Sequence, residues 1–371
     1  MMRKYTILVF ILGLMLVVLP GWVTPVGEFE EKVRPHQEQS EQSGERGEAD
    51  RQKPEPGPPE VQKEKESAPD RLWTVAVISD LNGSYGSTEY TREVHGAVEW
   101  INDSLKPDLV VSTGDMVAGQ RRGLDYAAMW RAFHEAVTDE LAKAGIPLAV
   151  TPGNHDASGS SAFWEERVQF AREWRTRRPR LSFVSDEFYP FHYAFELGPA
   201  LFISLDGTQV GPLDDAQRNW VKEVLERNSH KEIKFVYSHL PLYGVAQGRE
   251  HEILGDEELE ALFVEHDVDM MMAGHHHAYY PGKRGDTLHL HTACLGTGQR
   301  ALIGEDSVSP RNVAVVQFDS SGIVSVEAVE SPHFQGVVDN ETLPRSIGTG
   351  HEKIWRMDVE PVSEDGEDSE S

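Results

Sequence analysis

Apolar runs that alternate with amphipathic helical patterns constrain the fold of this chain more than any other feature of its sequence. Three short runs rich in β-branched residues occupy residues 73–79, 109–112 and 146–150, and each is typical of a buried strand. Residues 90–105 and 124–144 lie between these runs and show helical spacing of apolar side chains. Strands that alternate with helices predict βαβ units, and therefore a mainly parallel sheet.

The second half of the chain continues the pattern. Residues 193–197 and 200–205 predict a hairpin, because Gly198 and Pro199 between them are turn residues. Further helices are predicted at residues 163–174, 213–227 and 256–266, and further strands at 233–237 and 268–273. Three later strands, which we expect in a second sheet, are predicted at residues 288–292, 313–318 and 323–329.

The two ends of the chain differ in composition from its globular part. A basic start and the apolar residues 5–19 predict a secretory signal peptide or an N-terminal membrane anchor over residues 1–26. Residues 27–70 have too few apolar side chains to offset the entropy of ordering, which predicts a disordered acidic and Pro-rich linker. We therefore expect an exported protein that meets a membrane only through its N-terminal segment. Its globular domain would be residues 71–335, followed by a C-terminal extension at 336–371 with a disordered acidic tail.

The charge of the chain excludes one class of partner. Its 35 basic and 62 acidic residues give a net charge of -27. A protein that binds nucleic acid needs a basic surface to neutralise phosphates, so we predict no nucleic-acid-binding surface. Cys294 is the only cysteine, which leaves neither a disulfide framework nor a cysteine metal cluster.

Polar residues gather where the predicted strands end, which is where open α/β folds bind their ligands. In chain order they are Asp80, Asp115, Asn154, His155, His239, His275 and His277. Carboxylates, amides and imidazoles without thiolates suit Mn, Fe, Zn or a similar divalent ion. The set exceeds what one ion needs, whereas two ions bridged by a carboxylate would use most of it.

These residues stand in five motifs whose order and spacing resemble the calcineurin-like metallophosphoesterase superfamily over residues 73–330. The motifs are Asp80-Leu81-Asn82, Gly114-Asp115, Gly153-Asn154-His155-Asp156, Ser238-His239 and Gly274-His275-His276-His277. The resemblance implies a four-layer α/β/β/α sandwich, with two mixed sheets face to face and helices outside. Residues 239–243 and 277–279 are similar to the purple acid phosphatase branch, but Ala118 stands where that branch has a tyrosine.

The resemblance also implies a role for each residue of the motifs. His155 would protonate the leaving-group oxygen or stabilise the transition state, and Asp156 would orient its imidazole. The implied metal ligands are Asp115 as the bridge between two divalent ions, Asp80 and His277 for the first ion, and Asn154, His239 and His275 for the second.

Asn82 departs from the family pattern, which has histidine at this position. An amide oxygen is a harder and weaker ligand than an imidazole nitrogen. With Asn82 as a ligand, the first site would hold its ion less tightly and would favour Mn²⁺ or Fe, although Zn²⁺ also fits. Tyr85 is interpreted either as a replacement ligand that loops back or as an exposed turn residue.

The expected function is hydrolysis of a phosphate mono- or diester by in-line attack of a hydroxide that bridges the two ions. The alternative is a non-catalytic binding or scaffold protein on a degenerate phosphoesterase fold. His155 and Asp156 favour the enzyme, because a scaffold has no need of a proton donor. We expect substrate choice to lie in the loops at residues 158–161, 207–212 and 243–254.

Overall fold

The computed structural model describes residues 71–360. The signal or anchor predicted at residues 1–26, the linker predicted at 27–70 and the acidic tail from residue 363 lie outside the described residues. Between residues 71 and 360, no helix has both the length and the apolar character needed to cross a bilayer.

Fourteen strands within residues 71–360 form two sheets. In chain order the strands are β1 (Trp73–Ile78), β2 (Leu109–Ser112), β3 (Leu148–Val150), β4 (Ser182–Ser185), β5 (Tyr193–Leu197), β6 (Ala200–Ser204), β7 (Ile233–Ser238), β8 (Met270–Ala273), β9 (Tyr280–Arg284), β10 (Thr287–His291), β11 (Asn312–Asp319), β12 (Gly322–Glu330), β13 (Ser346–Ile347) and β14 (Ile354–Arg356). The bounds of the apolar strands lie within one or two residues of the prediction.

The smaller sheet has five strands in the order β12-β11-β1-β2-β3. The first three strands of the chain run parallel, as predicted, with Val77 opposite Val111 and Val111 opposite Ala149. β11 pairs antiparallel with β1, and β12 pairs antiparallel with β11. The expectation that these two strands belong to a second sheet was therefore wrong. The free edge of β1 accepts β11, a pairing between ends of the domain that local periodicity cannot reveal.

The larger sheet has nine strands in the order β13-β14-β9-β10-β8-β7-β6-β5-β4. Its centre, β6-β7-β8-β10, is parallel, and antiparallel strands flank it on both sides. β4, β9, β13 and β14 were not predicted, because each is short and has little apolar alternation. The last two lie beyond residue 335, so part of the predicted C-terminal extension belongs to this sheet.

Seven α-helices within the same residues connect the strands. They are α1 (Arg92–Trp100), α2 (Tyr126–Phe133), α3 (Asp139–Ala144), α4 (Asn154–Ala157), α5 (Trp164–Thr176), α6 (Asp215–Arg227) and α7 (Glu257–Glu265). The single helix predicted at 124–144 is divided by a π-helical turn at His134–Thr138. It ends at Gly145, whose φ of 76° is a left-handed conformation that glycine adopts without a steric penalty.

Alternate residues of the strands pack on opposite faces of the sheets and build four layers. The ring of Phe318 on β11 lies 5.2 Å from the ring of Phe235 on β7 and 6.2 Å from Phe202 on β6, so these side chains fill the space between the sheets. On the other face of the larger sheet, Ile203 and Val236 join a second core cluster with residues of α6 and α7. Each such fully buried side chain stabilises the fold by about 2 kcal/mol. The predicted α/β/β/α sandwich of two mixed sheets is confirmed.

The ends of the parallel strands from both sheets meet at one edge. The hydroxyl of Tyr193 donates to the carbonyl of Val150 over 2.7 Å, and the Thr151 hydroxyl donates to the carbonyl of Leu205 over 2.5 Å. These hydrogen bonds join β3 to β5 and to the end of β6. The loops after β1, β2, β3, β7 and β8 are thereby brought together, and all five predicted motifs lie in them.

Candidate metal centre

Strained backbone marks the residues at this edge. Asp80, Asp115, His275 and His277 have φ values of 50°, 55°, 63° and 54°. This left-handed region costs a residue with a side chain roughly 1–2 kcal/mol, so it persists only where the surroundings impose it. Four of the predicted ligands share the conformation, which turns their side chains back across the strand ends.

The glycines of the motifs are needed because backbone and side chains approach closely. A Cβ atom at Gly153 would lie 2.1 Å from the backbone nitrogen of Asp115, and one at Gly274 would lie 2.0 Å from Oγ of Ser79. No side chain fits at either position, because Cβ atoms essentially never approach another heavy atom more closely than 3.0 Å. Glycine at these positions lets the loops after β3 and β8 pack against those after β2 and β1.

The first group of donors is formed by Asp80 and His277. Nε2 of His277 lies 3.0 Å from Oδ1 of Asp80, while Nδ1 of His277 donates to the carbonyl of Gly298 over 2.9 Å. The other oxygen of Asp80, Oδ2, accepts from the Ser79 hydroxyl at 2.6 Å and from the backbone of His275 at 3.0 Å. In each side chain one polar atom is fixed by hydrogen bonds to its surroundings, and the second polar atom faces the other residue of the pair.

The second group surrounds Nε2 of His239. Oδ1 of Asn154 lies 2.8 Å from this nitrogen, Nδ1 of His275 lies 3.2 Å from it, and Oδ2 of Asp115 lies 3.3 Å from it. The remaining ring nitrogen of His239 donates to the carbonyl of Thr113 over 2.9 Å. That hydrogen bond selects the tautomer with a lone pair on Nε2, which is the form that binds a metal.

Asp115 lies between the two groups. One ligand atom each from Asp80, Asp115 and His239 fall within 4.8 Å of one another, and all three residues are buried. Oδ1 of Asp115 accepts from the backbone nitrogen of His155 over 2.8 Å, while Oδ2 faces His239. Asp115 is thus close to a member of each group, as a carboxylate shared by two ions would have to be.

Electrostatics at the edge favour bound cations. Burial by itself raises the pKa of both carboxyl groups, but His277 lowers that of Asp80 to about 2, and His239 and His155 hold the pKa of Asp115 well below its usual range. Burial lowers the pKa of His239, yet the charge of Asp115 raises it to about 9. The ionised carboxylates therefore favour protonation of the neighbouring imidazoles, and bound metal ions would supply this positive charge instead.

The donor set fits divalent metal ions. Oδ1 of Asp80 is buried, and although Nε2 of His277 lies 3.0 Å away, it accepts no well-aligned hydrogen bond within the described residues. A buried carboxylate oxygen without a partner is costly, and a cation beside it removes that cost. Burial also lowers the pKa of His275 to about 4, so its imidazole is neutral at physiological pH and able to bind a metal.

Asn82 follows Asp80 by two residues, its backbone nitrogen donates to the carbonyl of Asp115 over 3.3 Å, and it is 7% exposed. Its Nδ2 donates to the carbonyl of Val117 over 3.3 Å. The amide oxygen, Oδ1, accepts no hydrogen bond from the described residues and is available to a ligand. The ring of Tyr85 lies 5.3 Å from the ring of His155, and this side chain is 54% exposed. Tyr85 therefore packs against the predicted proton donor, and its observed contact gives no support to the interpretation as a replacement ligand.

His155 lies at the open side of the centre. Its Nδ1 donates to the carbonyl of Gly119 over 3.2 Å, and its Nε2 lies 3.9 Å from Oδ2 of Asp115. Asp156 does not orient this ring, contrary to expectation. Its carboxylate instead accepts from the backbone nitrogens of Val117 at 2.9 Å and Gly153 at 3.0 Å, which fixes the start of α4.

Three side chains that support the centre were not predicted. Oε1 of Gln120 accepts from Nδ2 of Asn154 over 3.0 Å, which turns the amide oxygen of Asn154 towards His239. Oε2 of Glu252 lies 2.8 Å from Nε2 of His275, and Nη1 of Arg249 lies 2.9 Å from the same oxygen. All three are in loops, and no spacing in the sequence connects them with the motifs.

A cleft of about 570 Å³ opens next to the second group. Residues of all three loops that we expected to choose the substrate line it, together with residues of the centre. They are Tyr85, Gln120, Asn154, His155, Ser158, Ser160, Thr208, Gln209, Val210, Leu240, Arg249, Glu252 and His275. Hydroxyls, amides and an arginine dominate this lining, so the cleft suits a polar ligand.

A two-sheet sandwich with acidic, amide and imidazole donors at its strand ends defines a metallophosphoesterase-like protein. The chain belongs to the calcineurin-like phosphoesterase family, whose model matches residues 74–279, more than half of the sequence. The resemblance seen in the motifs is thus confirmed.

Two curated relatives and one solved structure are similar to this chain. Purple acid phosphatase 18 of Arabidopsis thaliana is 29% identical over 217 residues, 57% of this chain and 45% of that protein. Phosphoenolpyruvate phosphatase of Allium cepa is 26% identical over 216 residues, 57% of this chain and 42% of that protein. The structure of a purple acid phosphatase from yellow lupin (Lupinus luteus) seeds has a TM-score of 0.51 at 17% identity, covering 70% of this chain and 52% of that one.

The chain spans less than half the length of these two curated relatives. The structural similarity is at low sequence identity and concerns the fold.

Proposed function

We propose that this chain is an exported, metal-dependent phosphoesterase that binds two divalent ions. One observation carries the proposal: Asp115 lies between two groups of metal-binding donors, with His155 beside it at the cleft. The first ion would be held by Asp80, Asn82 and His277, the second by Asn154, His239 and His275, and Asp115 would contact both. Mn²⁺ or Fe suits the oxygen-rich first site, and Zn²⁺ is also compatible with the set.

Bound ions would supply two things, polarisation of the phosphoryl oxygens and a water molecule with a lowered pKa for in-line attack. The protein's own contribution at the leaving group comes from His155. The carbonyl of Gly119 accepts from its Nδ1, so the transferable proton of the imidazolium is on Nε2. Nε2 is the ring nitrogen nearer Asp115, and His155 lines the cleft, so the proton is available to a leaving oxygen bound there.

Arg249 favours phosphate monoesters over diesters in this proposal. Its guanidinium lines the cleft and lies 2.8 Å from Nε2 of His275, next to the second group of donors. A monoester carries one more negative charge than a diester at neutral pH, and the guanidinium, which Glu252 holds in place at 2.9 Å, would stabilise that extra charge through short hydrogen bonds. Ser158, Ser160 and Thr208 would meet a polar remainder of the substrate.

Metal content and turnover of the full chain, measured on the same samples, test the proposal. We expect two equivalents of metal and faster hydrolysis of 4-nitrophenyl phosphate than of bis(4-nitrophenyl) phosphate. Preference for the diester would contradict the role of Arg249 alone. No turnover of either ester with Mn²⁺, Fe or Zn²⁺ would overturn the enzyme and favour a non-catalytic binding protein.

Export is a separate part of the proposal and rests on the basic and apolar N-terminal residues. Fractionation of cells that produce the full chain tests it. We expect the protein outside the cytoplasm, and a variant without residues 1–26 should stay inside. If both proteins are found in the cytoplasm, export is wrong, and the activity measured above is unaffected.

A further inference from the structure

Glu166 is a buried acid that the mechanism above does not use. It belongs to α5, and only 1% of its surface is exposed. Oε1 accepts from the backbone nitrogen of Gln120 over 2.6 Å and from the hydroxyl of Tyr126 over 3.0 Å. A carboxylate is rarely buried this deeply unless its hydrogen bonds fix a neighbouring segment.

The segment that Glu166 holds is the turn formed by Gly119 and Gln120, which supports two parts of the centre. The carbonyl of Gly119 accepts from Nδ1 of His155 over 3.2 Å. The side chain of Gln120 accepts from Nδ2 of Asn154 over 3.0 Å. One dipeptide thus sets the orientation of both the proton donor and a predicted ligand of the second ion.

This turn is not a conformation that the chain would adopt by itself. Gln120 has a φ of 62°, in the left-handed region that costs a residue with a side chain roughly 1–2 kcal/mol. The hydrogen bond to Glu166 is made by the backbone nitrogen of this same residue, and it offsets that cost. A Cβ atom at Gly119 would lie 2.2 Å from the carbonyl oxygen of His155, so the turn also packs tightly against the start of α4.

The burial of Glu166 is costly, because only one of its two carboxyl oxygens has a hydrogen-bond partner within the described residues. Oε2 is buried without a hydrogen-bond partner within the described residues. Burial raises the pKa of Glu166 to about 7, although Tyr126 and the backbone of Gln120 and Arg121 act against this rise. The fold therefore retains a buried carboxyl group that is costly for stability at a position where it can hydrogen-bond to the 119–120 turn.

We propose that Glu166 is a positioning residue, which fixes the 119–120 turn so that His155 presents Nε2 to the leaving group and Asn154 presents its amide oxygen to the second ion. This inference rests on the proposed phosphoesterase function for its catalytic consequence. Glu166 acts through Gly119 and Gln120, and it contacts neither substrate nor metal.

Leaving-group dependence separates positioning from stability. Glu166→Met fills the same space without an acceptor, so His155 loses its fixed orientation. A phenolate with a high pKa needs its proton, whereas 4-nitrophenolate leaves almost without help. We expect kcat for phenyl phosphate to fall roughly tenfold more than kcat for 4-nitrophenyl phosphate, as weakened general acid catalysis requires.

Two further variants serve as rescue and as control. Glu166→Gln keeps an oxygen that accepts from Gln120, so the ratio of the two rates should return towards that of the wild type. Tyr126→Phe removes the other hydrogen bond to the same carboxylate and should leave the ratio unchanged. An equal loss of both rates in Glu166→Met would overturn the proposal. If that variant does not fold, Glu166→Asp, one methylene too short to reach the turn, replaces it with the same expected direction.

A readout without turnover keeps the inference separate from the proposed function. In ¹⁵N spectra of histidine-labelled full chain, the ring of His155 should show a protonated Nδ1, assigned by comparison with His155→Gln. In Glu166→Met we expect a mixture of tautomers. If the wild type hydrolyses neither ester, the proposed function fails, and this spectrum still decides the role of Glu166. An unchanged His155 signal in Glu166→Met would refute that role.

Discussion

Nε2 of His277 lies 3.0 Å from Oδ1 of Asp80, and the two residues follow strands of different sheets. The other polar atoms of both side chains are already bound, to Gly298 on one side and to Ser79 on the other. Two buried atoms that can bind a metal therefore face each other, and one of them, Oδ1 of Asp80, accepts no hydrogen bond within the described residues. A shared cation is the simplest way to satisfy both, and this relationship is the basis of the first metal site.

Asp80→Asn should lose the first ion and keep the second. The amide has no charge for the cation, whereas the donors around His239 remain as they are. We expect metal content to fall from two equivalents to about one. His275→Ala is the matched variant at the second site. Loss of both ions in each variant would mean that the sites are not separable.

Asp115→Asn should lose both ions together, because its carboxylate lies between the two groups of donors. Metal titration by isothermal calorimetry measures this directly. Asp269→Asn, a change in an acid that accepts from the backbone nitrogen of Lys234 at the opposite end of β8, is the control and should keep both ions. Retention of one full equivalent by Asp115→Asn would disprove the bridge.

His155→Ala should retain two equivalents of metal and lose turnover by on the order of a hundredfold or more, as expected for removal of a general acid. Its ring is held by Gly119 and contributes to neither group of donors. His95→Ala, an exposed position on α1, is the control and should keep full turnover. Unchanged kcat in His155→Ala would remove this residue as the proton donor.

Asn82→His should raise metal affinity at the first site and weaken any preference for Mn²⁺, since imidazole is a better ligand for Zn²⁺ than an amide oxygen. Competition between Mn²⁺ and Zn²⁺ at limiting metal measures the change. Asn82→Ala should move affinity in the opposite direction. If neither substitution alters metal content or selectivity, Asn82 is not a ligand.

His134 gives a prediction for stability against pH that is independent of the metal centre. It is buried against Trp130, and burial lowers its pKa to about 4, with Arg177 acting in the same direction and Asp139 against it. The unfolded chain binds this proton near pH 6.5, so stability falls as the pH drops from about 6.5 to 4, by up to about 1.4 kcal/mol per pH unit.

His134→Phe should remove that part of the slope in urea unfolding measured across this pH range. The exposed His230 is the matched control, and His230→Ala should leave the slope as it is. Equal slopes for wild type and His134→Phe would show that His134 does not contribute.

The strands of the parallel core and their motifs could be predicted because each is local. A buried strand needs a continuous apolar run, and a predicted ligand follows it within three or four residues. Both β1 with Asp80 and β2 with Asp115 could therefore be predicted from the sequence. The family resemblance followed from the order of the five motifs, and the layered fold was implied by that resemblance. Short strands such as β9 and β14 carry no such run, and they were not found.

Contacts that use the backbone leave no trace in the sequence, because every residue has a carbonyl and almost every residue an N–H group. The carbonyl of Gly119, which holds His155, could not be told from any other, and the role expected for Asp156 was wrong for this reason. Glu166 was equally hidden, since an acid in an amphipathic helix usually faces solvent.

The available chemistry can be read from the sequence, because the kinds of metal-binding side chain and their places after the predicted strands are local features. Which atoms meet depends on the folded domain: β11 joins β1, Asp115 lies close to both groups of donors, and the 119–120 turn held by Glu166 orients His155 and Asn154. The two kinds of interaction differ in the distance along the chain over which they act. Periodicity and turn chemistry act over a few residues, whereas strand pairing and buried hydrogen bonds join residues that are distant in the chain and are selected only when the whole domain packs.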